Sequence, residues 1–478
     1  MQENSEIMNQ EVILYLLQSR NYLRKKNLGR IFLILPFFCS TIIGFTQSLP
    51  EILISDFEYK KVEKRYFGVR GTRELPQAFS LKQYTPKPLN QLNYPTSPAW
   101  ATSYAALTIL VAQQTGASPS NITRNSYSPL FSYYQSTQHT NYDTNREPVS
   151  IKQILSSMKT NGTPKYIQYP VRWPTREPEN TKTSLTKISE YARLFDSNES
   201  ASKKVKAVKT TLVENMPVVI AMHYDNSFKY AKEFWQPREK YNPQLNAKAL
   251  CVVGYDDNMH GGAFEVMNSQ GTEWGNEGFM WIPYKTFIEF TRQAYSLYMI
   301  PTKNSTSQLS GGIELELVSG GNMDLAQISP GYYKIKKAYP TGTQFKVKIV
   351  NHSAGFLYVF ASDLTEEIFP FFPPATTSAA FSTDVSFYVP DENTPLEIDE
   401  TIGTDYLCVL FSKEDLDIES IYRSVKSFKG SFKEKVYSSL NESTIDSTKI
   451  DFKNTVADFT VAEADKSIVV VIIEHDHN

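Results

Sequence analysis

The stretch NQLNYPTSPAWATSYAALTILVAQQTG, Asn90 to Gly116, constrains this chain most. It opens as a polar loop, and from Trp100 onward apolar residues recur at Tyr104, Leu107 and Val111, the spacing of a helix face. Ser97 is a good N-cap, Pro98 suits the first helical position, and Gly116 can end the helix. Together these predict a buried helix entered from a loop. A helix N-terminus gathers backbone N–H donors and the positive end of the helix dipole, so the loop at Ser97 marks a place where an anion can be held.

The remainder of the chain has to build a core around such a helix, and 478 residues are too many for one core, so two folded domains are expected. With 41% hydrophobic and 13% aromatic residues, this is not a disordered chain. Forty-nine basic residues stand against 51 acidic ones, a net charge of −2 that argues against a nucleic-acid binder relying on bulk charge. Near the start, Arg24, Lys25, Lys26 and Arg30 precede the apolar run Ile31 to Phe45 and then Thr46-Gln47-Ser48. That is the layout of a secretory signal over residues 1–47, cleaved near Gln47 or retained as an anchor, and the run is short for a membrane span. The expected location is therefore secreted or cell envelope. Cys39 lies inside the apolar run after Phe38, a poor context for lipid anchoring, while Cys251 and Cys408 sit in apolar strand-like surroundings and read as buried free thiols.

In chain order, Glu51 to Pro88 is charged and irregular, and the polar, Tyr- and Ser-rich stretch Asn121 to Glu147 has loop character. Helical patterns cover Val149 to Lys159 and Ala201 to Asn215; Pro217 to Ala221 and Leu250 to Tyr255 read as buried strands, with Ala263 to Met267 returning as a hairpin partner. Residues 301–312 are a linker by composition. Beyond it, Phe345, Val347 and Ile349 alternate with Lys346 and Lys348, and turn signals separate further alternating runs, which suggests a small antiparallel sandwich over residues 313–415. Residues 416–478 read as a polar tail with a terminal strand at Ser467 to His475. His475, Asp476 and His477 could touch a metal, but frayed polar residues at the chain end are the expected reading, and no metal or cofactor is expected.

Two segments carry a family resemblance. In NSQGTEWGNEGFMWIPY, Asn268 to Tyr284, the residues Asn268, Ser269, Gly271, Trp274, Gly275, Gly278 and Phe279 fit the Asn-Ser-Trp-Gly, Trp-Gly, Gly-Phe pattern of papain-like (cathepsin-type) cysteine peptidases. The stretch around Gln91 resembles their active-site segment, where an oxyanion Gln precedes the nucleophilic Cys by six residues. The resemblance implies an α+β, two-lobed fold over residues 48–300, a helical lobe followed by a β-rich one. The segments GTQFKVKIVN at Gly342, YVF at Tyr358 and GTDYLCVL at Gly403 resemble a domain of unknown function appended to bacterial papain-like and caspase-like proteins. That second resemblance implies an accessory or recognition module.

Carried over position by position, the resemblance makes Gln91 the oxyanion Gln and Asn268 the orienting Asn. Ser97 takes the nucleophile's place, or Ala99 does if the alignment is anchored on Trp100; Lys248 stands at the His position and Gln270 at that of the sheltering Trp. Leu92 and Pro95 stand where relatives carry glycines, so a reshaped loop is expected. Taken alone, Ser97 reads as a helix N-cap and Lys248 as a solvated surface charge. His223 and His260 are outside the family positions and read as surface or satisfied polar residues. A serine needs an adjacent base, and a lysine serves as one only when neutral. The substitutions point to an inactive papain-like protein that binds a protein or an extended peptide, with a cell-surface or envelope partner and no nucleic acid. A retooled Ser97/Lys248 hydrolase and a structural subunit of a cell-surface assembly are the alternatives.

Overall fold

The computed structural model describes residues 52–67, 74–137, 148–171, 184–300, 309–363, 365, 367–453, 456–462 and 465–477, all within the compact unit Ser48–Asn478. The expected signal segment and most of the linker lie outside the described residues. Among these, no helix is long and apolar enough to cross a membrane.

The central helix runs from Ser97 to Thr115 in three parts: Ser97–Ala99, a wider π-helical section at Trp100–Leu107, and Thr108–Thr115. All eight residues of the π section are buried. Gly116 ends the helix at φ +59°, the left-handed conformation a glycine adopts without penalty. The start differs from expectation: Thr96 occupies the N-cap without a side-chain cap bond, and Ser97 is the first helical residue. Pro119–Arg124 follows this helix in the chain, and Pro129–Ser136 and Ile151–Thr160 pack against it. The first two replace the loop expected after Asn121; each has a proline in its first turn, and Ser128 caps the second. The third starts in a reciprocal capping box between Ser150 and Gln153 and buries Ile151, Ile154, Leu155 and Met158.

Seven strands form the β-rich lobe: β1 (Ala78–Ser80), β2 (Glu190–Arg193), β3 (Val218–Tyr224), β4 (Asn246–Asp256), β5 (Ala263–Met267), β6 (Phe279–Pro283) and β7 (Thr291–Tyr298). Their order is β2-β7-β3-β4-β5-β6, with β1 on β4, and every pairing is antiparallel. The long strand β4 is buried from Lys248 to Tyr255 because elements cover both of its faces.

The C-terminal part is a two-sheet sandwich. One sheet orders β15 (Val385–Val389), β11 (Gln344–Asn351), β8 (Ser310–Leu317), β19 (Phe459–Val461) and β18 (Ile450–Phe452), with β16 (Leu396–Glu397) on β11. The other orders β13 (Ile368–Phe372), β12 (Gly355–Ser362), β17 (Gly403–Ser412), β20 (Ile468–His477), β10 (Tyr332–Ile335) and β9 (Leu325–Ser329), with β14 (Ala380–Phe381) on β12. Val347 and Ile349 face the core between the sheets, and Lys348 pairs outside with Glu314 and Glu316.

The polar tail expected after residue 415 is corrected here. Strand β20 is an interior strand that pairs along its whole length with β17, while helices Ile418–Ser427 and Phe432–Ser439 cover the outer face of that sheet. Val469, Val471 and Ile473 point into the sandwich; Val470 and Ile472 join the core shared with the peptidase-like lobe. Burial on both faces is why this strand reads as an unbroken apolar run. The expected fraying is corrected with it: Asp476 accepts from the Thr404 hydroxyl at 2.8 Å and pairs with Lys334, while His475 is buried on the strand.

A short strap ties sandwich to lobe. Lys64 N–H donates to Thr376 O and Ser378 N–H donates to Lys64 O, while Arg65 N–H donates to Arg193 O and Arg193 N–H to Glu63 O. Next to it the Arg65 guanidinium makes a buried ion pair with Glu214, whose carboxylate also accepts from the Ser382 hydroxyl at 2.5 Å.

Candidate functional site

The central helix begins against β4. Ala249 N–H donates to Ser97 Oγ at 3.2 Å, where β5 has ended and left that edge of the strand open. Ser97 is thus the joint between the helical and β-rich lobes, which explains a hydroxyl at this position independently of any nucleophilic role. Ala99, the alternative nucleophile position, is fully buried.

The loop before the helix is pinned to the segment after β5. Gln91 N–H donates to Ser269 O at 2.8 Å, and Gly271 N–H donates to Leu89 O at 3.1 Å. The Gln91 side chain is bonded into this joint, donating to Tyr94 O at 2.6 Å and accepting from Ser269 Oγ at 2.5 Å. Asn268 donates to Gln270 Oε1 at 3.1 Å and accepts the Ser269 N–H at 2.8 Å. Gln91, Asn268, Ser269 and Gln270 therefore form one buried or half-buried polar array. Ser269 is the member sequence reasoning did not single out as a site residue, although its place in the motif was evident.

Leu92 sits in the left-handed region at φ +59° and is 59% exposed. Its backbone therefore holds the conformation a glycine favours. The Asn90 side chain supports the turn by accepting the Leu92 N–H at 2.8 Å.

Lys248 is not a solvated charge: it is 6% exposed, in the middle of β4 opposite Met222. Side chains alternate along a strand. On β3 and β4, His223 with Ala247 turns toward Tyr241 and, beyond it, Phe290, and Tyr255 turns toward Lys209 of the helix Ala201–Val213. Lys248 alternates with Ala249, which lines the small gap beside Trp100, Tyr104 and Met267, so its side chain lies on the other face of the strand. Among the described residues its ammonium has no ion pair and no hydrogen bond, and burial pulls its pKa down to about 7. Neither Ser97 nor Asn268 is bonded to it.

His223 and His260 both have neighbours. His223 is buried with Nδ1 at 2.9 Å from Leu245 O, and burial lowers its pKa; His260 is exposed and packs on Phe234. The thiols of Cys251 and Cys408 are buried and their pKa values are pushed up, so neither is a ready thiolate. No cluster of three or more metal-ligating side chains occurs among the described residues.

A helical lobe set against an antiparallel β-rich lobe, with the helix start, Lys248 and Asn268 at their junction, defines an α+β fold of papain type. Residues 134–298 match the family model described as papain family cysteine protease, so that part of the chain is similar to the papain-like cysteine peptidases. The matched stretch contains Lys248, Asn268 and Gln270; Gln91, Ser97 and Ala99 precede it.

Among curated proteins, the chain is 23% identical over 174 residues to an uncharacterised peptidase C1-like protein of Acanthamoeba polyphaga mimivirus, covering 34% of this chain and 55% of that one. It is 33% identical over 101 residues to gamete and mating-type specific protein A of Dictyostelium discoideum, covering 21% of this chain and 22% of that one. The chain thus spans about half of the first relative and about a fifth of the second. Among solved structures, xylellain, a cysteine protease from Xylella fastidiosa, is similar with a TM-score of 0.43 and 18% identity, covering 52% of this chain and 94% of that one. Bromelain from Ananas comosus gives a TM-score of 0.38 and 16% identity, covering 47% and 99%.

Proposed function

We propose that this protein is a secreted or envelope-located pseudopeptidase that binds an extended peptide or protein segment at the junction of its two lobes and does not hydrolyse it. The observation that carries this reading is the use of the Ser97 hydroxyl. It accepts the Ala249 N–H and shares no hydrogen bond with Lys248, while a serine nucleophile needs a base within about 2.6–3.2 Å. The engagement of Gln91 with Tyr94 and Ser269 supports the same reading, since these bonds hold its amide against the loop. The appended sandwich adds a second surface for a protein partner, and the basic and apolar residues from Arg24 to Phe45 supply the route of export.

One observation favours a second reading, a Ser97/Lys248 hydrolase: Lys248 is buried, and burial lowers its pKa to about 7. A diverse library of internally quenched peptides, incubated with the purified chain and with its Ser97→Ala variant, separates the two. The expected result is no cleavage by either protein. Cleavage that disappears in the variant would overturn the pseudopeptidase reading and make the pair a working dyad.

A further inference from the structure

A cleft of about 890 Å3 opens where the end of the central helix and the end of β7 face the sandwich. Ligand sites have volumes of this order and gather at such domain boundaries. It lies on the order of 20 Å along the helix from Ser97, away from the junction already described. Leu110, Val213, Leu297 and Met299 make it apolar on the lobe side, while Ala354, Ser382 and Ser386 line it from the sandwich. The lobe side is tied together by two amides: Gln113 Nε2 donates to Asn215 O and Gln114 Nε2 to Met299 O, each at 2.8 Å. These bonds set the cleft before anything enters it, and they leave the Oε1 atoms of both glutamines as acceptors for a peptide N–H.

The charge of the lining has one sign. Glu74, Glu214 and Asp384 contribute to it, and no Lys, Arg or His does among the described residues. Glu214 is neutralised by its buried pair with Arg65. The other two carboxylates are available: Glu74 is exposed with no partner among the described residues, and the Asp384 side chain is 77% exposed with His352 Nδ1 at 3.7 Å. Resting on the reading that the sandwich adds a surface for a protein partner, we infer that this cleft is that surface. The segment it takes is an extended stretch of the partner in which Lys or Arg stands next to apolar residues. The apolar side chains cover Leu110, Val213 and Met299, and the cation pairs with Glu74 and Asp384. Apolar contact supplies most of the affinity, while the two carboxylates choose the partner by repelling an acidic segment.

The test uses the full chain and two fluorescently labelled decapeptide mixtures with the same apolar positions, one carrying Lys and Arg at the remaining positions and the other Asp and Glu. Affinities are read by anisotropy. The basic mixture is expected to bind about tenfold tighter or more at low salt, the sum of several exposed charge contacts, and the ratio should shrink as salt is raised. Glu74→Gln combined with Asp384→Asn should bring the ratio close to one. Both side chains are exposed, and Asn tolerates the left-handed backbone at residue 384, φ +56°, so the fold is retained and circular dichroism checks it. Equal affinities for the two mixtures, or a preference that survives the double variant, would overturn the assignment of this cleft and leave a partner surface elsewhere on the sandwich. No binding by either mixture would overturn both.

Discussion

Replacing Lys248 by Met should make the folded chain more stable, and more so in acid than in base. Burial is the sole cause that lowers this ammonium from its ordinary 10.5 to about 7. The folded value lies below the unfolded one, so between those pH values the unfolded chain binds more protons and the folded chain gains stability as pH rises. Below pH 7 both states are protonated and the folded chain carries the whole cost. At about 1.4 kcal/mol for each pH unit separating the two values, the ceiling is roughly 5 kcal/mol. Relaxation and water penetration reduce that, and methionine fills a similar volume, so a gain of about 2–4 kcal/mol is expected at pH 6, falling below about 1 kcal/mol at pH 10. Urea midpoints of the two proteins at pH 6, 8 and 10 measure it, since other titrating groups cancel in the difference. A gain independent of pH, or a variant less stable at pH 6, would show that Lys248 has a counter-charge in solution and would refute the reasoning.

Two further substitutions bear on the same junction and on the strap. Leu92→Gly should stabilise by about 0.5–1 kcal/mol, because the left-handed backbone is retained without the side-chain penalty and the leucine is mostly exposed; urea unfolding that shows a loss would mean that Leu92 packs on something in solution. Glu214→Gln should destabilise by about 3–5 kcal/mol at neutral pH, because it leaves the buried Arg65 guanidinium unpaired, and a change under about 1 kcal/mol in the same assay would place that pair in contact with water.

What the sequence revealed and what it hid follow from the range of the interactions involved. The hairpin partners of β4 and β5 and the alternation of β11 were legible, because a strand's period is written in neighbouring residues. The motif from Asn268 to Phe279 was legible for the same reason. The helices at Pro119–Arg124 and Pro129–Ser136 were missed because they are short and rich in polar residues and tyrosine, PSNITR and PLFSYYQS, although the two first-turn prolines were a usable start signal. Thr96 and Ser97 are equally able caps, and only the approach of Ala249 decides that Ser97 enters the helix. The burial of Lys248 was invisible for a deeper reason. It is produced by the packing of other elements on the faces of β4, and no local pattern distinguishes it from an exposed lysine.

The placement of β20 changes how the C-terminal part relates to the lobes. Had residues 416–478 been a tail, the sandwich would be a separable module hung on a linker. Instead β12, β17 and β20 bury one face inside the sandwich and contribute Phe356, Tyr358, Phe360, Cys408, Leu410, Val470 and Ile472 to the core that also holds Trp100, Tyr104 and Leu250. Lys159 of the helical lobe reaches both Glu190 and Asp415, and Tyr358 donates to Asp415 at 2.8 Å, so polar contacts follow the apolar ones across the boundary. Interfaces between independent domains are usually more polar and easily parted. One that continues the core cannot open without exposing that core. The sandwich therefore acts as part of the scaffold that fixes the lobes on either side of Ser97 and Lys248, and a partner gripping it would bear on a rigid body that includes the junction.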